Sequence, residues 1–169
     1  MFRNTGSSAH VLPFLWQAIF LAGFLFAGVI APASAQEKPK IRTITAFIRL
    51  DRAQYKAQIT ETLAMLRNAK ARYGLAGYEV QTLRITTQPF PEYTRGVSKQ
   101  DAQAFFHDLD MLAKQESVSI SIGPALMDEK DDSKQAEQLE EILEQTGNIY
   151  GSVVVAGSDG VHWKAVFAK

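Results

Sequence analysis

The apolar residues of the chain fall into two alternating rhythms. Residues 41–50 (IRTITAFIRL) are rich in β-branched side chains. Ile44, Ala46, Ile48 and Leu50 share one face, and this period of two predicts a strand. Asp51 is placed to cap the helix that follows. There Tyr55, Ile59, Leu63, Leu66, Ala69 and Tyr73 recur at helical spacing, and Gly74 and Gly77 offer the stop. Residues 78–87 (YEVQTLRITT) predict a second strand and 88–93 (QPFPEY) a proline-bounded loop. Ser98 with Asp101 three residues on resembles a capping box with Asp in place of Glu. It opens a helix over 99–115 that buries Ala102, Phe105, Leu109 and Leu112. Residues 117–122 (SVSISI) alternate strictly, predicting a third strand that ends in Gly123-Pro124. An acidic loop at 128–132 leads to a helix opened by Ser133, carrying Ala136, Leu139, Ile142 and Leu143 and closed by Gly147. Residues 149–156 (IYGSVVVA) are apolar nearly throughout, the pattern of a strand covered on both faces. Gly157-Ser158-Asp159-Gly160 reads as a turn, and 161–169 as the start of another helix.

The order is βαβαβαβ(α). Helices of this length between strands need crossover connections, so the expected fold class is α/β: a mainly parallel sheet with flanking helices in a single domain at 41–169.

The first 35 residues follow a different pattern. Arg3 is the only Lys, Arg, Asp or Glu before Glu37, and an apolar run over 11–30 is interrupted only by Gln17. Ala33-Ser34-Ala35 supplies small side chains at the −1 and −3 positions of a signal-peptidase site, with cleavage between Ala35 and Gln36. Pro32 breaks the helix just upstream. The alternative is an uncleaved anchor, since about 20 apolar residues suffice to cross a bilayer. On either reading the rest of the chain is exported, periplasmic or secreted. Residues 36–40 form a polar linker, and the membrane is touched only through the signal segment if that segment is retained.

Charge changes the picture by exclusion. Beyond the signal, 17 basic side chains face 18 acidic ones, so no basic excess points to nucleic acid. The chain has no cysteine, which excludes a thiolate nucleophile, a thiyl radical and a cysteine metal site.

Four stretches carry a resemblance: IRTITAFIRL at 41–50, GYEVQTLRITTQPF at 77–90, SVSISIGP at 117–124 and GSVVVAGSDGVHWKAV at 151–166. With these motifs in this order, the chain resembles the domain of unknown function 711 family, grouped with proteins of the pyruvate formate-lyase barrel fold. Family members are typically longer and cytoplasmic-looking, with a barrel of about ten strands. The resemblance therefore implies an N-terminal half-barrel. It brings no catalytic residues, because the family's own activity is unknown. Glycyl-radical chemistry needs a cysteine and a C-terminal glycine loop, and this chain has neither.

Candidate chemistry centres on Gly157, Ser158, Asp159, Gly160 and His162. This segment follows the fourth predicted strand, where parallel sheets bind ligands and a helix N-terminus presents free N–H groups. The competing reading is a plain turn with Ser158 or Asp159 as a helix cap. Arg84, Thr86 and Thr87 approach the same sheet edge, and Arg84 suits a carboxylate clamp, unless it is simply solvated or salt-bridged. His107 and Asp110 share a helix face without an evident third metal ligand. The 128–132 loop lacks the glycine and distal glutamate of a calcium loop. No metal and no cofactor are expected.

A half-barrel leaves a strand edge and a face uncovered, so self-association or marginal stability is expected. Three functions remain open. They are a small non-catalytic binding or accessory protein, an enzyme acting on a small anionic metabolite at the strand ends, and an inactive fragment of a longer family member.

Overall fold

The computed structural model describes residues 38–167. The expected signal segment, the expected cleavage between Ala35 and Gln36 and the first residues of the linker lie outside them. Within this span, strands and helices alternate in the predicted order. They are β1 (Ile41–Ile48), α1 (Tyr55–Leu75), β2 (Val80–Thr87), α2 (Phe90–Thr94), α3 (Lys99–Glu116), β3 (Ser119–Pro124), α4 (Lys134–Glu144) and β4 (Ile149–Ser152). A two-stranded hairpin, β5 (Ala156–Gly157) with β6 (Gly160–Val161), and a short helix α5 (Trp163–Phe167) follow.

The sheet is parallel throughout, in spatial order β1-β2-β3-β4. Each strand pairs with its sequence neighbour, so the sheet is wound in one direction. Right-handed crossovers then place every connecting helix on the same face. This one-sided α/β winding resembles half of a barrel. The covered face holds one core. Ala46, Ile85, Ile120, Ile122 and Ile149 from the four strands pack with Ile59, Leu63 and Leu66 of α1, Phe105, Phe106 and Leu109 of α3, and Leu139 and Ile142 of α4. Phe90, Tyr93, Phe105 and Phe106 meet mostly edge-on, with centroids 5.2–6.3 Å apart.

Several local expectations change for identifiable reasons. The apolar stripe of α1 leaves the core after Leu66, and Tyr73 and Leu75 are exposed. The helix has 21 residues, about 31 Å of length, while each strand beneath it has eight, about 26 Å, so its last turns overhang the sheet. Asp51 does not cap this helix. Its carboxylate accepts the Ala53 N–H at 2.8 Å and builds a turn ahead of a helix that starts at Tyr55. The proline-bounded loop contains a short helix with Pro91 near its start, where a fixed φ fits the first turn and no N–H is needed. Ser98 accepts the Asp101 N–H at 3.1 Å, as the capping-box spacing predicts. The third strand starts two residues late, because Ser117 takes the left-handed conformation (φ 54°) that ends α3.

Two glycines are fixed by crowding. Gly123 has φ 72°, and a Cβ there would lie 2.8 Å from the Gln88 carbonyl. At Gly151 a Cβ would overlap Leu139, so α4 rests directly on the β4 backbone. Strand β4 is shorter than 149–156, though the chain beyond it stays extended enough for the Val154 N–H to reach the Leu126 carbonyl at 2.9 Å. It is also not covered on both sides: Tyr150 and Ser152 are exposed.

Candidate functional site

Strand alternation sends the second set of side chains to the face without helices. Strand pairing arranges them in transverse rows. Thr43 lies beside Thr82, with their hydroxyls 2.7 Å apart. The next row is Thr45, Arg84 and Ser119, and the one after it Phe47, Thr86, Ser121 and Tyr150. None of these side chains is buried. The middle of the face is built from hydroxyls, with an aromatic ring on each outer strand and one cation, Arg84, in the second strand. No carboxylate belongs to these rows. Among the described residues, no hydrogen bond or ion pair engages the Arg84 guanidinium.

At the carboxyl ends of β1 and β2 a concavity of about 460 Å³ is lined by Arg49, Asp51, Arg52, Gln88, Glu92 and Tyr93. The Gln88 carboxamide takes the Leu50 N–H at 2.8 Å and donates to the Leu50 carbonyl at 2.9 Å, continuing the β1–β2 ladder with a side chain. Arg49 pairs with Glu92 at 3.3 Å, so cation and anion offset each other there. Burial pushes the Tyr93 phenol well above its ordinary range despite its hydrogen bond to Thr87. It therefore stays protonated near neutral pH.

The Gly157–His162 segment has a different architecture from the one expected. Gly157 and Gly160 pair as a hairpin closed by Ser158 and Asp159, with Gly160 at φ 120°, and α5 starts only at Trp163. The turn therefore caps a hairpin and does not open a helix. Its two-residue length and flanking glycines suit that geometry. His162 is buried, 3% exposed. Its Nδ1 lies 3.0 Å from the Val154 carbonyl and its Nε2 2.9 Å from an Asp159 carboxylate oxygen. Both partners are acceptors, so the imidazolium is the form that satisfies both ring nitrogens. Accordingly the Asp159 carboxylate, with the Val154 carbonyl behind it, raises the His162 pKa, and His162 lowers that of Asp159. A Cβ at Gly157 would stand 2.7 Å from that same carboxylate oxygen. A ligand reaching His162 would have to displace one of its own chain's groups. Ser158 and Gly160 are exposed.

Arg84 and Thr86 thus lie together on the open face. Among the described residues, no hydrogen bond or ion pair links them to the hairpin. Thr87 turns to the covered side, where its hydroxyl bonds the Gln88 carbonyl at 2.9 Å. Asp110 is buried, and one carboxylate oxygen accepts the Gly147 and Asn148 backbone N–H groups at 3.0 and 2.7 Å. It anchors the α4–β4 loop, while His107 on the same helix is exposed. In the acidic loop Asp131 accepts the N–H groups of Met127 and Asp128, and Asp128 accepts that of Lys130. Among the described residues, no three His, Asp or Glu side chains are grouped to hold a metal ion. None of the described helices is long and apolar enough to cross a membrane.

This one-sided parallel sheet coincides with a family match that extends over residues 34–168, to the model described as Uncharacterised ACR (DUF711). The chain belongs to the DUF711 family. No curated protein matches it. The DUF711 match includes all four strands, the hairpin and both candidate segments. The hydroxyl rows of this DUF711 chain have a signal in its sequence: Thr43 and Thr45, Thr82 and Thr86, and Ser119 and Ser121 alternate with the apolar residues that define the core face.

Proposed function

We propose that this protein is an exported, non-catalytic binding protein that holds a small anionic ligand against the open sheet face, with Arg84 as its anchor. The supporting observation is that Arg84 stands, without an ion-pair partner among the described residues, in a field of hydroxyls that includes no carboxylate. A guanidinium presents a planar fork suited to carboxylate or phosphate, and Thr45, Thr86 and Ser119 add neutral donors beside it. Catalysis is not favoured by any group at this face. Among the described residues, no carboxylate or imidazole stands in the rows of this face, and His162 is occupied inside its own hairpin.

Thermal-shift titration of the purified protein with phosphate, acetate, succinate and citrate tests the reading. At least one anion is expected to stabilise the protein, and Arg84→Ala should weaken that anion's binding about 10- to 150-fold, the worth of about 1.5–3 kcal/mol for a charged hydrogen bond. Ser158→Ala should leave it unchanged. A shift that survives Arg84→Ala, or no shift with any anion, overturns it. Export is checked separately by N-terminal sequencing of the mature product, expected to begin at Gln36.

A further inference from the structure

We propose that the concavity at the carboxyl ends of β1 and β2 is a second binding site, which takes a free amino acid as its zwitterion. The ligand carboxylate meets Arg52 and the ligand ammonium meets Asp51. Arg84 is not among the residues that line this concavity, so neither this site nor the anion site depends on the other.

Most polar groups of the concavity are already used by the fold. The Gln88 carboxamide is taken up by the Leu50 N–H and carbonyl. Arg49 and Glu92 hold each other at 3.3 Å, and the Tyr93 hydroxyl meets that of Thr87 at 3.2 Å. One charge of each sign is left over. Among the described residues, the half-buried Arg52 guanidinium makes no hydrogen bond and no ion pair. The Asp51 carboxylate accepts the Ala53 N–H through Oδ1 and leaves its other oxygen open.

The fold orients both groups. Asp51 is pinned three times: Oδ1 accepts the Ala53 N–H at 2.8 Å, the Asp51 N–H goes to Gln58 Oε1 at 2.8 Å, and the Asp51 carbonyl accepts the Gln54 N–H at 3.0 Å. The Arg52 guanidinium lies over the Phe105 ring, 5.9 Å from its centroid. That contact places the fork without using up its N–H donors. The ring itself is buried and held edge-on by Tyr55 and Tyr93.

Opposite charges fixed in one concavity, but not paired with each other, suit a ligand that carries both. The lining holds two cations and two carboxylates, so a lone anion or a lone cation gains nothing from the concavity as a whole. A zwitterion gains at both ends. A guanidinium takes a carboxylate through parallel N–H donors, and a carboxylate oxygen accepts from an ammonium. The concavity, about 460 Å³, is of small-molecule size, and it lies outside strand carboxyl ends, where α/β sheets take their ligands.

Calorimetric titration of the purified protein with L-alanine, L-serine, L-leucine, L-phenylalanine and 4-aminobutyrate tests this. None of these carries a second carboxylate that would favour Arg84. At least one is expected to bind, and its N-acetyl and amide forms, each lacking one charge, should bind at least about tenfold more weakly. Arg52→Gln, which keeps a stem over Phe105, and Asp51→Asn, which keeps the acceptor for the Ala53 N–H, should weaken the amino acid by a similar factor. Arg84→Ala should leave it unchanged. If either variant fails to fold, the blocked ligands on the native protein still decide. No binding by any of the five, or equal binding of a blocked form, overturns the proposal. Binding that survives both Arg52→Gln and Asp51→Asn, or is lost in Arg84→Ala, overturns it as well. Amino-acid binding without any Arg84-dependent anion would sink the open-face reading alone.

Discussion

The two faces of the one sheet have opposite designs. On the covered face, Ile85, Ile120 and Ile122 are fully enclosed by three helices. On the open face, the residues between them in the same strands are Arg84, Thr86, Ser119 and Ser121, and none is buried. Adjacent positions in a strand therefore answer to different demands. One set holds the fold together through burial and close packing. The other is free of that duty and carries the features that suit recognition.

If that division is right, substitutions on the covered face should cost far more stability than equivalent ones on the open face. Phe106→Ala should lose about 3–5 kcal/mol in chemical denaturation, as a fully buried aromatic does. Gly151→Ala forces Leu139 and α4 away from β4 and should cost about 1–3 kcal/mol. Asp110→Ala strands the Gly147 and Asn148 N–H groups and should cost a similar 1–3 kcal/mol, about the desolvation penalty of an unsatisfied group. Phe47→Ala, although it removes as large a ring as Phe106→Ala, should stay within about 0.5 kcal/mol in the isolated chain. A loss at Phe47 comparable to that at Phe106 would show that the open face is structural.

The hairpin contributes the smallest and most pH-specific effect. The Asp159 carboxylate raises the His162 pKa above its ordinary value of 6.5, so the stabilisation it brings is complete below pH 6.5 and is lost as pH climbs through the raised value. Asp159 is lowered from 3.8, so its share is present above that value and is lost as pH falls through the depressed one. The hairpin should be firmest between these limits. Melting temperature followed against pH, with Asp159→Asn as the control, should show the alkaline loss in the native chain and a flatter profile in the variant.

The element order, the parallel sheet and the Ser98 cap were legible because each rests on short-range pattern: period two, period 3.6 and a three-residue spacing. The hairpin at 156–161 was not, because GSDG serves an αβ turn and a two-residue hairpin equally well, and only the pairing of Ala156 with Val161 decides between them. The burial of Asp110 was also hidden. A helix-face Asp reads as solvated until a loop 37 residues on brings its N–H groups to the carboxylate. Arg84, Thr86 and Thr87 are legible in the sequence as a group at one strand end, but Thr45, Ser119 and Ser121 come from other strands and join Arg84 and Thr86 only through register.

Anion binding at the open face depends, on this reading, on Arg84. Isothermal titration of the purified protein with the anion that stabilises it most, repeated with Arg84→Ala and Arg84→Lys, tests it directly. Measurable binding is expected, lost in Arg84→Ala and only partly restored in Arg84→Lys, which keeps the charge but not the planar fork. Equal affinity in all three proteins would contradict it.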